Sequence, residues 1–484
     1  MNLVKIERAQ RVHIETFGCQ MNEYDSDLVR SLLKARGFAF TDDRERADVI
    51  LMNTCAIREN AHTKVYAHLK ELRAIKRQRP LVVGVLGCMA QNLKSELTET
   101  EPLVDVLAGP DSYRRLPDLL TQAIKAQEQG LRRRGLAVDL SEYETYEDIL
   151  PERTDGVNAW LAVMRGCDNF CSFCVVPYTR GRERSRDPQG VIRETEQLVA
   201  RGHRQVTLLG QNVNSYRYEA REGARPRGEA PVLAGAGRVG ATTPGAGGCD
   251  WDFARLITAV AEVPGIERVR FTSPHPKDFP PALLDAIAGH PKICKHIHLP
   301  LQSGNDRILD LMGRSYTRKD YLGLVDDIRR RNQEIALTTD IICGFCSETE
   351  EEFLDTWRLV QDVGFHAAFV FKYSERARTI AARKYSDDIS EAVKSDRIAR
   401  IVDMQKQIAL RKNQELVGRT VVALVEGDAK RSAGQWMGKA DHSVTVVWEK
   451  NGSRAKLGDL VPIAVSRASV TTLFGDELPA REIR

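Results

Sequence analysis

Over the first 128 residues, short apolar runs alternate with stretches in which apolar side chains recur every three to four positions. VHIETF (12–17), VILMN (49–53) and LVVGVL (81–86) read as strands buried in a parallel sheet. Helical periodicity follows at 23–36, 58–78 and 112–127. Strands alternating with helices predict a doubly wound α/β domain over residues 10–138. An acidic segment at 139–157, ending near Pro and Gly, reads as a linker.

The pattern resumes at 158. Six strand candidates follow: 159–165, 205–210, 267–272, 295–301, 335–342 and 366–373. Helical stretches such as 316–332 and 348–363 separate them, so right-handed crossovers predict a partial, open (β/α)6 barrel over 158–412. Residues 219–249, rich in Gly, Ala, Arg and Pro and without periodicity, interrupt it as an expected disordered surface insertion. A long charged helix or helix pair is predicted at 386–416. TVVALVEG, SVTVVWE, LVPIAVSRA and SVTTLFG then alternate with turn residues, which predicts a small antiparallel β-barrel within 413–478.

Composition narrows the class only slightly. A net charge of +4 on 484 residues argues for no acidic partner, so any nucleic-acid contact has to be a local patch. No apolar run approaches the length of a membrane span, and MNLVKIERAQRVHI does not read as a secretory signal. The expectation is a cytoplasmic protein without a membrane partner. There, ten cysteines are metal ligands or core residues before they are disulfides.

Three of them stand at one spacing, C-x3-C-x2-C: Cys167, Cys171 and Cys174. The motif follows the first barrel strand, at the carboxyl edge where barrel sites form. Three thiolates bind three irons of a 4Fe-4S cube and leave the fourth open, unlike an electron-transfer cluster held by four cysteines. An open iron can chelate S-adenosylmethionine (SAM), whose reductive cleavage releases a 5′-deoxyadenosyl radical. A zinc knuckle or plain core cysteines are the alternatives. Cys19, Cys55 and Cys88 are far apart in sequence, yet each lies within two residues of a predicted strand end. Ligands bind outside such ends in open parallel sheets, so these three can converge on a second, auxiliary cluster whose open iron suits sulfur delivery. Three ordinary buried cysteines are the alternative. Cys343 and Cys346 form a C-x2-C that reads as strand-end packing, with a metal pair as the alternative; Cys249 and Cys294 receive no role.

ETFGCQMNEYDS (15–26), NTCAIR (53–58), GCMAQ (87–91), RGCDNFCSFCVVPYTRGRERSR (165–186), LPLQSGND (299–306) and FKYS (371–374) resemble the radical-SAM methylthiotransferases along nearly the whole chain. The words Gln20 to Ser26 resemble the branch acting on N6-dimethylallyladenosine of tRNA. The departures are IICGFCSET on the fifth barrel strand, SERARTI after Tyr373 and the insertion.

The resemblance implies a transferase with two 4Fe-4S clusters and SAM, a radical-SAM barrel and a terminal TRAM barrel that binds RNA. Its substrate would be tRNA, gripped at the anticodon arm, and it would need an electron-donor protein and a sulfur source while acting as a monomer. The hydrogen on carbon 2 of an adenine offers polar chemistry no handle, so a radical is required. Phe173 would pack on the SAM adenine or shield the cluster from water; Gln302, Ser303 and Asn305 would help bind SAM or simply form a turn. Arg180, Arg182 and Arg184, with Lys430 and Arg431 in the terminal barrel, are candidate RNA contacts; a solvated charged loop is the alternative for the first three. A relative acting on threonylcarbamoyl-adenosine tRNA or on a ribosomal-protein aspartate is the competing enzyme. A non-enzymatic iron–sulfur RNA-binding protein is the competing class, which SAM cleavage by the reduced protein would exclude.

Overall fold

The computed structural model describes residues 9–56, 59–153, 156–219, 251–430 and 432–479. The first unit is a six-stranded, wholly parallel sheet in the order Ala39–Phe40, Arg11–Phe17, Val49–Thr54, Val82–Gly87, Val106–Ala108, Gly135–Ala137. Every residue of Val49–Thr54 and Val82–Gly87 is buried, as continuous apolar runs require. Successive side chains enter opposite cores: Val49 and Leu51 join the one around Leu28 and Tyr113, Ile50 and Met52 the one around Val65 and Leu69.

Residues 139–153, read as a linker, pack on the first unit. Tyr146 is fully buried in the first core, donating to the Pro110 carbonyl (3.0 Å) while its oxygen accepts from the Tyr113 amide (3.0 Å). Arg114 pairs with Glu144 and Asp148. The segment is acidic because a basic surface lies beneath it.

All six predicted barrel strands form, in two parallel sheets. Asn158–Ala162, Gln205–Leu209 and Arg268–Phe271 make one; His296–His298, Ala336–Cys343 and Ala367–Lys372 make the other. A parallel bridge from Val269 to Ile293 joins them into one open curve around a single core. Residues 220–249, with Cys249, lie outside the described residues; on either side of them Arg217–Tyr218 pairs antiparallel with Trp251–Asp252. The charged segment is one helix, Glu391–Gln414, capped by the Ser390 hydroxyl.

The terminal barrel is closed, with five strands in the order Thr420–Ala429, Ser432–Ala440, Thr445–Glu449, Thr472–Glu477, Leu460–Ala468. Two points differ from expectation. Thr445–Glu449 and Thr472–Glu477 pair in parallel, so the barrel is not wholly antiparallel. In Ser432–Ala440 one glycine interrupts the alternation because it serves close approach: a Cβ on Gly438 would stand 2.2 Å from the Leu424 carbonyl oxygen. This barrel docks beside the amino ends of the radical-SAM strands. Arg268 donates to the carbonyl oxygens of Lys439 and Val422, and Arg270 to those of Ala440 (2.8 Å) and Asp441 (3.0 Å).

Candidate functional site

The register of the first sheet levels three strand ends. Phe17 stands opposite Thr54, and Thr54 opposite Gly87. Cys55 and Cys88 follow directly and Cys19 follows after Gly18, so the three share one edge. A polar floor holds them. Asn22 accepts from the Cys19 amide (3.3 Å) and donates to Asn53 (3.1 Å), while Asn53 donates to Ser26 (3.0 Å). Gly87 is required there, since its φ is +85° and a Cβ would meet the Asn53 side-chain oxygen at 2.4 Å.

The three thiols are not equivalent. A hydrogen bond from Cys55, helped by the Arg180 charge and by the Asn22 and Met21 backbones, outweighs burial and lowers Cys19 to about 6. Burial pushes Cys88 up, opposed by Arg180, whose Nε donates to the Cys88 sulfur at 3.2 Å. The other terminal nitrogen of Arg180, Nη1, is buried and has no partner among the described residues. A cation beside three convergent thiols, with one donor unfilled, fits an anionic metal–sulfide group.

Cys167, Cys171 and Cys174 sit on a loop tied at both ends. The Cys167 amide donates to Gly181 (3.1 Å), the Cys174 amide to Cys171 (3.0 Å), and Ser172 donates to the carbonyls of Met312 and Leu311. Burial, with Coulomb repulsion between neighbouring thiolates, raises Cys167 to about 11 and Cys174 to about 12. Arg314 donates to the Cys171 sulfur at 3.3 Å, so this trio also has one buried guanidinium. Such thiols are costly to ionise without bound metal to replace their protons. Among the described residues no three His, Cys, Asp or Glu close on a single ion.

The two trios are neighbours. Ala56, next to Cys55, packs with Cys88 and with Val175, next to Cys174. Cys19 packs beside Met21, Tyr24, Ala162 and Leu209, which places it at the carboxyl ends of the first two barrel strands. The carboxyl edges of sheet and barrel therefore face each other.

Other expectations fare differently. Arg180 and Arg184 are 3% and 7% exposed and are corrected as open phosphate contacts: Arg180 pairs with Asp25 (2.8 Å) and Arg184 with Asp111 (2.9 Å) across the domain junction. Arg182 alone of the three is exposed, lying over the Phe170 ring. Lys430 is exposed on a turn; Arg431 lies outside the described residues. Phe173 packs with Ile308, Met312 and Phe345, the placement expected of shielding. Ser303 and Asn305 are committed to the turn: Ser303 meets Thr356, and Asn305 caps Asp306–Leu311 and donates to Asp355. Gln302 is held at φ +66°. Cys343 and Cys346 are core residues. Sequence reasoning assigned no role to Asp25, Arg165 or Arg314. Asp25 and Arg165 signalled themselves only by standing in the motif words, and Arg314 not at all, because a charge reveals its counter-ion only in three dimensions.

Two family descriptions match: uncharacterized protein family UPF0004 over residues 11–109, and the radical SAM superfamily over 161–360. A tRNA-2-methylthio-N(6)-dimethylallyladenosine synthase from Porphyromonas gingivalis is 43% identical over 484 residues, covering 98% of this chain and 97% of the relative. One so named from Bacteroides thetaiotaomicron is 43% identical over 473 residues, covering 97% and 96%. Among solved structures, the radical S-adenosylmethionine methyltransferase TsrM from Kitasatospora setae, with cobalamin and a 4Fe-4S cluster bound, superposes with a TM-score of 0.53 at 14% identity, covering 78% of this chain and 74% of that one; this likeness concerns the fold alone. Identity of this order along nearly full length, on both family segments, means that the chain belongs to the tRNA-2-methylthio-N(6)-dimethylallyladenosine synthase family of radical-SAM methylthiotransferases.

Proposed function

We propose that this chain is a tRNA methylthiotransferase that converts N6-dimethylallyladenosine next to the anticodon to its 2-methylthio derivative. The observation carrying this reading is the pair of cysteine trios set side by side where the two carboxyl edges face. Cys167, Cys171 and Cys174 would hold the radical-SAM 4Fe-4S cluster, and Cys19, Cys55 and Cys88 the auxiliary one. When bound, clusters with one open iron supply an electron for SAM cleavage at the first site and a seat for sulfur at the second. The chain's own share is placement and dryness: buried thiols, a guanidinium on one sulfur of each trio, and Phe173 with its apolar neighbours excluding water.

Residues 10–138, 158–412 and 413–478 would act as cluster domain, catalytic barrel and RNA-binding barrel. Of the candidate RNA contacts, Arg182, which is exposed while pairing with Asp168, and the exposed Lys430 remain accessible to phosphate. An electron-donor protein and a sulfur source complete the system, and we place it in the cytoplasm as a monomer. No described helix is long and apolar enough to cross a membrane.

The test is mass spectrometry of tRNA nucleosides from cells lacking and regaining the gene, with about eight irons per chain after anaerobic reconstitution. Restoration of 2-methylthio-N6-dimethylallyladenosine is the expected result. Restoration of a methylthiolated threonylcarbamoyl-adenosine instead would reassign the substrate.

A further inference from the structure

The geometry points to Arg180 as the positioning residue that ties the second cysteine site to the first, its guanidinium held by Asp25 on one side and bonded to the Cys88 sulfur on the other. The inference rests on the proposed reading that Cys19, Cys55 and Cys88 hold a cluster.

Arg180 belongs to the catalytic barrel, yet its charged end lies inside the other domain. It ends the short helix Val176–Arg180, which starts two residues after Cys174. That helix packs against Cys88–Leu93, which begins with a cysteine of the other trio. A segment of six residues thus runs from a sulfur of the first trio to a contact with the second. Arg180 is 3% exposed, Asp25 fully buried and Cys88 4% exposed, so water does not screen the contact.

Each polar end of the guanidinium has a different task. One Nη donates to Asp25 Oδ2 at 2.8 Å, and Asp25 also accepts from Arg165 (2.8 Å) and Tyr113 (3.4 Å), which fixes the carboxylate. Nε donates to Cys88 at 3.2 Å. Nη1 is buried without a partner among the described residues and is left for whatever the three cysteines hold. A planar fork can serve both partners at once; the single ammonium of lysine cannot.

The consequence is electrical as well as structural. A cluster gains negative charge on reduction, so a fixed cation at one of its sulfurs stabilises the reduced form. Removing that cation lowers the reduction potential of the second site and leaves the first, whose arginine is Arg314, unchanged.

The experiment is a potentiometric titration of the anaerobically reconstituted full chain, followed by electron paramagnetic resonance. The second-site signal is the one missing from the Cys19→Ala/Cys55→Ala/Cys88→Ala variant. Arg180→Gln is expected to lower that midpoint only, and Arg180→Lys to lower it less. An Arg180→Gln variant that loses about half its iron and still forms 5′-deoxyadenosine also supports the assignment. Wild-type midpoints in Arg180→Gln, or equal shifts at both sites, overturn it. Should Arg180→Gln lose all iron, Arg180→Lys decides: a lowered second-site midpoint supports the link, and a lysine variant matching wild type in iron and both midpoints refutes it. Failure of the underlying reading looks different, since the unmutated chain would then hold about four irons.

Discussion

The catalytic barrel meets its two neighbours in opposite ways. Toward the first domain it sends Arg165, Arg180 and Arg184 onto buried carboxylates, Asp25 and Asp111. Toward the terminal barrel it sends Arg268 and Arg270 onto neutral backbone carbonyls. A buried ion pair is unforgiving, because losing one member strands the other in a low dielectric. A guanidinium on carbonyls loses only hydrogen bonds when removed, and its partners can turn to water. The first junction lies between the cysteine trios and has to be rigid. The second lies by the amino ends of the strands, away from the chemistry, and is built to tolerate more movement.

The sharpest way to break this contrast is Asp25→Ala, which strands both Arg165 and Arg180. We expect a loss of about 3–5 kcal/mol, measured by denaturant unfolding of the metal-free chain. A change of the size typical for surface sites would show that the junction does not depend on the pair. Arg270→Ala should cost less, about 1–3 kcal/mol in total, because the carbonyls it releases can turn to water. Hydrogen exchange should quicken around Lys439–Asp441 and remain slow around Cys19, Cys55 and Cys88. Equal loosening at both ends would contradict the distinction.

Acid should separate the two junctions. Burial holds His366 at about 3 and His442 at about 4, below the ordinary value, and lowers His296 too. His366 faces Lys412, Arg329 and His442; His442 faces Asp441, Arg270 and Arg268; His296 faces Arg270, His298, His366 and Lys439. The unfolded chain binds these protons first, so stability falls as pH drops below about 6.5 and continues to fall toward 4. The barrel junction should lose exchange protection in that window through these histidines, groups that the arginine–carboxylate pairs of the first junction do not use.

The smallest effect concerns RNA. Arg182→Ala and Lys430→Ala should each reduce the salt slope of tRNA binding by about 0.7–0.9. Each would leave folding unchanged. Arg184→Ala, buried on Asp111, should instead reduce stability without changing that slope. A slope change from Arg184 would restore it as a phosphate contact.

The arginines at 180, 182, 184 and 186 show where sequence reading ends. Their even spacing reads as one basic stripe. In the fold, Arg180 ends a helix, Arg184 starts a short strand, Arg186 is buried on Glu194, and only Arg182 meets solvent. The glycine-interrupted strand Ser432–Ala440 was hidden for a related reason: close approach of two backbones leaves no hydrophobic period. The turn at Ser303 and Asn305 likewise read as either of two things until Thr356 and Asp355 supplied partners.

By itself the sequence determined the longer elements, their order and the two groups of cysteines. Apolar period and strand-end position are local properties, and local properties survive in one dimension. Only the tertiary structure decided that the two trios share one junction, which arginines are buried there, and which end of the larger barrel carries the terminal one. Those outcomes depend on counter-ions such as Asp25, 155 positions before Arg180 in the chain. A charge far apart in sequence is found only when folding brings it within hydrogen-bond reach.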